Sequence, residues 1–193
     1  MPIYCILKGK FQEELEYLTN AKKYLNTATL ITLYYSFVYP YFNYCNCIWG
    51  NTFPTYLEPL VKLQKRAIRI ISHADRKAHT LPLFEKLKLL NISKSYIYWV
   101  QLFMYKYKHK LVPNIFSNFF KFNHEVHSYP TRQRNLLHVT SDKLISVRKT
   151  LRTSGVAMYN HFVSRLGIDC SFVSYKKHLK EFLIGNDVST LLE

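Results

Sequence analysis

Glycine is scarce in this chain, with five in 193 residues. That scarcity argues against a glycine-rich loop cradling a nucleotide phosphate, and no G-x-S-x-G or other nucleophile-base motif is present either. Acidic residues are also few, 12 against 27 Lys and Arg. Polymerase-type chemistry needs at least two carboxylates held together around a pair of metal ions. Here Asp75, Asp142, Asp169 and Asp187 are isolated in sequence, with no Asp-Asp pair. The four cysteines (Cys5, Cys45, Cys47, Cys170) make no even framework and read as free thiols of a reducing compartment. Cys45 and Cys47 form only a C-x-C, and His73 and His79 lie beyond zinc-knuckle spacing; His124 and His127 sit three apart in a basic loop. No metal or cofactor is expected.

A long uncharged run does exist, from Tyr24 to Leu57. Thr29, Thr32, Ser36, Pro40, Asn43 and Asn46 interrupt it, whereas a spanning helix wants about 20 predominantly apolar residues. A buried helical pair is therefore expected over 27–49 rather than a membrane segment. The beginning of the chain has too short an apolar run for a secretory signal, so an intracellular protein, nuclear or cytoplasmic, is expected.

What the chain has in abundance is positive charge and aromatic rings: a net +15, 16 Tyr and 13 Phe. The apolar share suffices for a packed core. The charge is uneven. Lys and Arg outnumber Asp and Glu by four to three up to Gly50, by twelve to three from Asn51 to Pro113, and by eleven to six afterwards. A basic excess gathered in a helical middle points to a polyanion, though solubility alone also uses such charge.

Periodicity predicts a mainly α chain. Leu30, Leu33, Tyr34, Phe37 and Val38 mark an amphipathic helix from Thr27, kinked or ended by Pro40. A short aromatic element follows and stops at Gly50-Asn51. Over Thr55 to Ser72, Leu60, Leu63, Ala67, Ile70 and Ile71 share one face, while Lys62, Lys65, Arg66 and Arg69 form an opposite stripe. Like charges at that spacing repel, and a phosphate backbone lying along them would relieve the repulsion. An ordinary solvated face is the alternative.

Thr80 is placed to cap a helix through Leu83, Phe84, Leu87 and Leu90. Ser93 or Ser95 opens a helix to about Lys110 that is apolar nearly all round. The stretch from Phe119 to Arg134 reads as a basic loop. Beyond it, 135–140 and 144–147 can form a short β-hairpin. Two last helices carry Val156 to Leu166, stopped by Gly167, and Phe172 to Leu183, capped by Ser171 or Ser174 and ended at Gly185-Asn186. The resulting division is 1–26, 27–118, a loop 119–135, 136–186, and a tail 187–193.

Two basic groups interleaved with aromatics stand out. Lys62, Lys65, Arg66, Arg69, Arg76 and Lys77 form one; Arg132, Arg134, Arg148, Lys149 and Arg152 form the other. Such residues contact phosphates and position a duplex without reading its sequence. Exposed Tyr or His can stack on unpaired bases.

Leu33-Tyr34-Tyr35-Ser36, Tyr39-Pro40-Tyr41, Asn43-Tyr44-Cys45, Trp49-Gly50, Leu63-Gln64-Lys65-Arg66-Ala67, and His79-Thr80 with Pro82-Leu83 together resemble the region just after the palm of reverse transcriptases from jockey- and CR1-like LINE (non-LTR) retrotransposons. Tyr129-Pro130-Thr131-Arg132 is similar to that family's Tyr-x-Thr-Arg signature. Gly155 with Tyr159-Asn160 resembles its closing stretch, and Tyr175-Lys176-Lys177 with Leu179-Lys180 its final basic helix. The resemblance covers about Asn26 to Ile184, and residues 1–26 fit it less well. Tyr159 stands where the family has Trp, and Pro130 where it has Asn.

The resemblance implies a fragment of an RNA-directed DNA polymerase. It implies a thumb-like helical bundle that packs on an RNA–DNA or DNA duplex, no catalysis by this chain alone, and a palm domain of the parent polymerase lying upstream. On that reading Lys62, Lys65, Arg66, Arg69, Arg76, Lys77, Arg132 and Arg134 are the nucleic-acid contacts, with no small-molecule substrate and no membrane. The alternative is a protein-interaction or inert structural module left by a decayed mobile element.

Overall fold

The computed structural model describes residues 3–129, 132–140, 143–166, 170–186 and 188. The architecture is mainly helical, and no strand occurs among the described residues. Pro130, Thr131, Asp142, Gly167, Asp169 and Asp187, all part of the sequence reading, lie outside the described residues.

The chain divides into two compact units, Met1–Ser95 and Tyr96–Glu193. This division falls inside a helix rather than at the expected 119–135 loop. Ile92, in the first turn of that helix, belongs to the core of the first unit.

The first unit opens with α1 (Ile3–Ala21). Leu7, Phe11, Leu15 and Leu18 recur at helical spacing and are buried. Through them α1 packs on α5 (Pro54–Ile71) and on the aromatic segment between. Residues 1–26, set apart by sequence, are therefore integral to this core. Phe11 meets Phe42 edge-to-face with centroids 4.5 Å apart.

α2 (Thr27–Leu33) is capped by Asn26, whose side chain accepts from the Thr29 N–H at 2.9 Å. It runs without a break into a π turn (Tyr34–Val38) and then α3 (Tyr39–Asn43). Pro40 thus neither ends the helix nor stands as a bare kink. The Tyr39 N–H reaches back to the Tyr34 carbonyl, five residues away, so the ladder widens just before the residue that cannot donate. The break comes later, at Cys45, which takes the left-handed conformation (φ 51) ahead of α4 (Asn46–Trp49). Trp49 Nε1 donates to the Tyr44 carbonyl at 2.6 Å and fastens that corner.

α5 buries Leu60, Gln64, Ala67, Ile68, Ile70 and Ile71. Leu63, expected on that face, is half-buried. α6 (Leu81–Lys86) starts after Thr80, but the Thr80 hydroxyl makes no cap, and the helix stops before Leu90. α7 (Ile92–Lys108) is opened by Asn91, not by Ser93 or Ser95: Asn91 Oδ1 accepts from the Lys94 N–H at 2.8 Å.

With glycine scarce, α5, α6 and α7 close on a Schellman motif whose left-handed residue is His73, Lys88 or Lys110 (φ 51, 52 and 56). In each, two N–H groups turn back to carbonyls of the last turn. Ala74 N donates to Arg69 O at 3.0 Å, Leu89 N to Phe84 O at 3.0 Å, and Leu111 N to Lys106 O at 2.8 Å. A side chain in that conformation costs about 1–2 kcal/mol. A cation there is partly repaid by the negative end of the helix dipole.

In the second unit, α7 carries buried Tyr96, Ile97, Val100 and Met104, and buried Phe162, Tyr175, Leu179 and Leu183 complete that core. A 3₁₀ turn (Asn114–Phe116), α8 (Asn123–Val126) and α9 (Ile145–Arg148) lead to a second π turn (Leu151–Gly155), α10 (Val156–Leu166) and α11 (Phe172–Gly185). Ser171 is the residue that caps α11. At Gly155 the backbone comes close to Leu151: a Cβ there would lie 2.7 Å from Leu151 Cδ1, the end of a side chain that can turn aside.

The optional hairpin does not form. Ile145–Arg148 is a helical turn, and Leu137 makes an isolated antiparallel bridge with Phe122. His138 N donates to Lys121 O at 2.8 Å and Asn123 N to Leu136 O at 2.9 Å. On its other edge Leu137 is met by a side chain in place of a strand. Its N–H donates to Asn160 Oδ1 at 3.1 Å, and Asn160 Nδ2 donates to its carbonyl at 2.8 Å.

Candidate nucleic-acid interface

The stripe on α5 exists because the helix buries one face and leaves the other to water. Lys62, Lys65 and Arg66 are exposed, and Arg69 is half-buried. The four are not equivalent. Lys62 Nζ lies 2.8 Å from Glu58 Oε1, one turn earlier and equally open to solvent. The hydrogen bond and then the charge of Lys62 hold the Glu58 carboxyl below its ordinary range. Arg69 Nε donates to the Ala78 carbonyl at 2.9 Å, tying the loop after α5 back onto the helix.

That tie gives the loop cations their place. Arg76 and Lys77 are exposed in that loop, just before the Ala78 that Arg69 holds. Asp75 spends one oxygen on the Arg76 backbone N–H at 2.7 Å. Lys65 and Arg66 therefore present the least encumbered charge on the helix.

Arg132 and Arg134 belong to the second unit, exposed on the turn before the Leu137 bridge. The Arg134 carbonyl accepts from the His124 N–H at 3.2 Å, which fixes the turn against α8. Of their expected companions, Arg152 places its guanidinium 4.7 Å from the centre of the Phe119 ring. Arg148 and Lys149 also make interactions of their own. The arrangement offers dispersed cations for phosphate oxygens. Among the described residues no group of three or more His, Cys, Asp or Glu is placed to hold a metal.

Sequence reasoning missed Gln64. It sits between Leu63 and Lys65, on the buried face of α5, and is 1% exposed. Its Nε2 donates to Tyr34 Oη at 3.0 Å and to the Leu90 carbonyl at 3.1 Å, and its Oε1 accepts from the Ile92 N–H at 3.0 Å. A polar residue one step off a cationic stripe, flanked by buried positions at 60, 67, 68 and 71, was the signal available. This anchor keeps α5 from rolling, and so keeps Lys65 and Arg66 outward.

Cys47 is half-buried, and burial pushes its thiol up to about 11, which suits a packing role. Comparison with family models, curated proteins and solved structures finds no match to this chain. No helix among the described residues is long and apolar enough to cross a membrane.

Proposed function

We propose that this chain is the thumb and post-thumb part of a jockey/CR1-like LINE reverse transcriptase, binding the backbone of an RNA–DNA or DNA duplex and performing no polymerisation by itself. The observation that carries the reading is the exposed stripe on α5, followed by Arg76 and Lys77 in the next loop, on a helix whose other face is locked into the core by Gln64. A rigid line of cations with few acids nearby fits phosphates and reads no bases. The run of family-like motifs from Leu33 to Lys180 supports the lineage. On this reading the metal-binding carboxylates belong to the palm of the parent polymerase, and the chain works in the nucleus or cytoplasm.

The test is binding of purified chain to hybrids of unrelated sequence. Equal affinities that weaken together as salt rises are expected. Strong preference for one sequence overturns the reading.

One observation favours a second reading, a protein-interaction module. Tyr35, Phe37, Tyr44, Ile48, Phe53 and Tyr56 are exposed within a short stretch of the first unit. If reversing Lys62, Lys65, Arg66 and Arg69 to Glu leaves every measurable partner bound, that second reading is supported over the first.

A further inference from the structure

In the second unit a cation of α7 lies against the ring that opens α11. Lys106 Nζ lies 5.3 Å from the centre of the Phe172 ring. Phe172 opens α11, and Lys176 and Lys180 follow it at intervals of four, so the three share one row along the helix. Lys176 is exposed and Lys180 half-buried. The acid of α11, Glu181, falls instead four residues after Lys177, off that row.

Beside the row lies a stack of rings. Tyr105 is buried, with centroids 4.7 Å from Tyr175 and 5.5 Å from Phe172. Its hydroxyl donates to the Cys170 carbonyl at 2.6 Å, which fixes the ring. On it rests His109, centroids 4.2 Å apart, exposed at the helix end. His109 is exposed, one residue before the left-handed turn at Lys110.

We propose that the end of α7 and the first turns of α11 form a track for single-stranded nucleic acid, with Lys106, Lys176 and Lys180 on phosphates and His109 stacking on a base. This rests on the nucleic-acid reading above and adds a second substrate form, unpaired rather than duplex. A fixed aromatic platform beside a line of cations is how proteins hold single strands without choosing sequence. An anionic membrane fits less well. An interfacial helix needs an apolar face turned outward, and α11 turns Tyr175, Leu179 and Leu183 inward, with Val173 its one exposed large apolar side chain.

The experiment uses the full chain, a labelled oligothymidylate and a labelled RNA–DNA hybrid, each titrated across a range of salt. The variant Lys106→Gln/Lys176→Gln/Lys180→Gln should flatten the salt slope for the single strand by about 2, at about 0.7 for each phosphate left without its cation. It should leave the hybrid's slope unchanged. His109→Ala should weaken single-strand binding about tenfold with the slope intact. The Lys→Arg triple variant should keep the wild-type slope, which separates missing charge from disturbed structure. The track is overturned if wild-type chain binds oligothymidylate with a slope the Gln variant does not change, or if the Arg variant flattens it equally. Failure of the duplex reading looks different: the hybrid's slope is then indifferent to Lys65→Gln/Arg66→Gln.

Discussion

Gln64 donates a hydrogen bond to the hydroxyl of Tyr34 at 3.0 Å, in the core of the first unit. The same amide holds Leu90 O and Ile92 N, so one side chain links α5, the first π turn and the start of α7. Every partner is a buried polar group that would otherwise be unpaired.

Gln64→Leu should therefore cost far more than a surface substitution on the same helix, about 3 kcal/mol, because three partners lose their bonds at once. Tyr34→Phe removes one of them and should cost about 1 kcal/mol. Urea melts of the two variants check this. A Gln64→Leu variant as stable as wild type would contradict the anchor.

Asn160 takes the place of a β-strand beside Leu137. Asn160→Asp keeps the acceptor but turns a carboxylate toward the Leu137 carbonyl, and should destabilise by about 2 kcal/mol at neutral pH. Hydrogen exchange at the Leu137 amide should speed up in Asn160→Ala, which removes its acceptor. Unchanged exchange there would refute the pairing.

Lys88 is exposed and left-handed at the end of α6. Lys88→Gly should stabilise the chain by about 0.5–1 kcal/mol, the relief of left-handed strain less the added freedom of the unfolded chain. A lowered melting temperature would mean that the lysine contributes more than the conformation costs.

Much of this fold was legible in the sequence because its long helices carry clear apolar periods, as α5 does. The misreadings have a common physical source, competition for the same backbone groups. Pro40 looked like a kink or a terminator, but a π turn accommodates it. Ser93 and Ser95 looked like caps, but Asn91 stands first and takes the amide. Leu137 looked like a hairpin residue, but a side-chain amide supplies its partner. The stripe of Lys62 to Arg69 was readable as a pattern; that Glu58 and Ala78 engage its two ends was not, since neither interaction leaves a periodic trace. The meeting of Lys106 with Phe172 lay beyond any local reading, because tertiary packing creates it.

Alkaline pH should unfold the chain through its buried phenols. Burial pushes Tyr159 from 10.0 up to about 12, and raises Tyr34 and Tyr175 further. A folded value above the unfolded one means that the unfolded chain releases the proton first. This contribution to stability is intact below pH 10 and falls as pH rises from 10 through about 12. Phenolate absorbance followed beside helix content checks the sign: part of the absorbance should appear only as helix is lost. Full ionisation near pH 10 with helix retained would contradict it.

Whether the α5 stripe holds a phosphate backbone is decided by the salt dependence of hybrid binding, measured for wild-type chain and for Lys65→Gln/Arg66→Gln. For wild type, log affinity should fall linearly with log salt. In the variant the slope should be shallower by about 2, at about 0.9 for each duplex phosphate left without its cation. A flat wild-type curve, or a variant slope equal to wild type, would contradict the proposed interface.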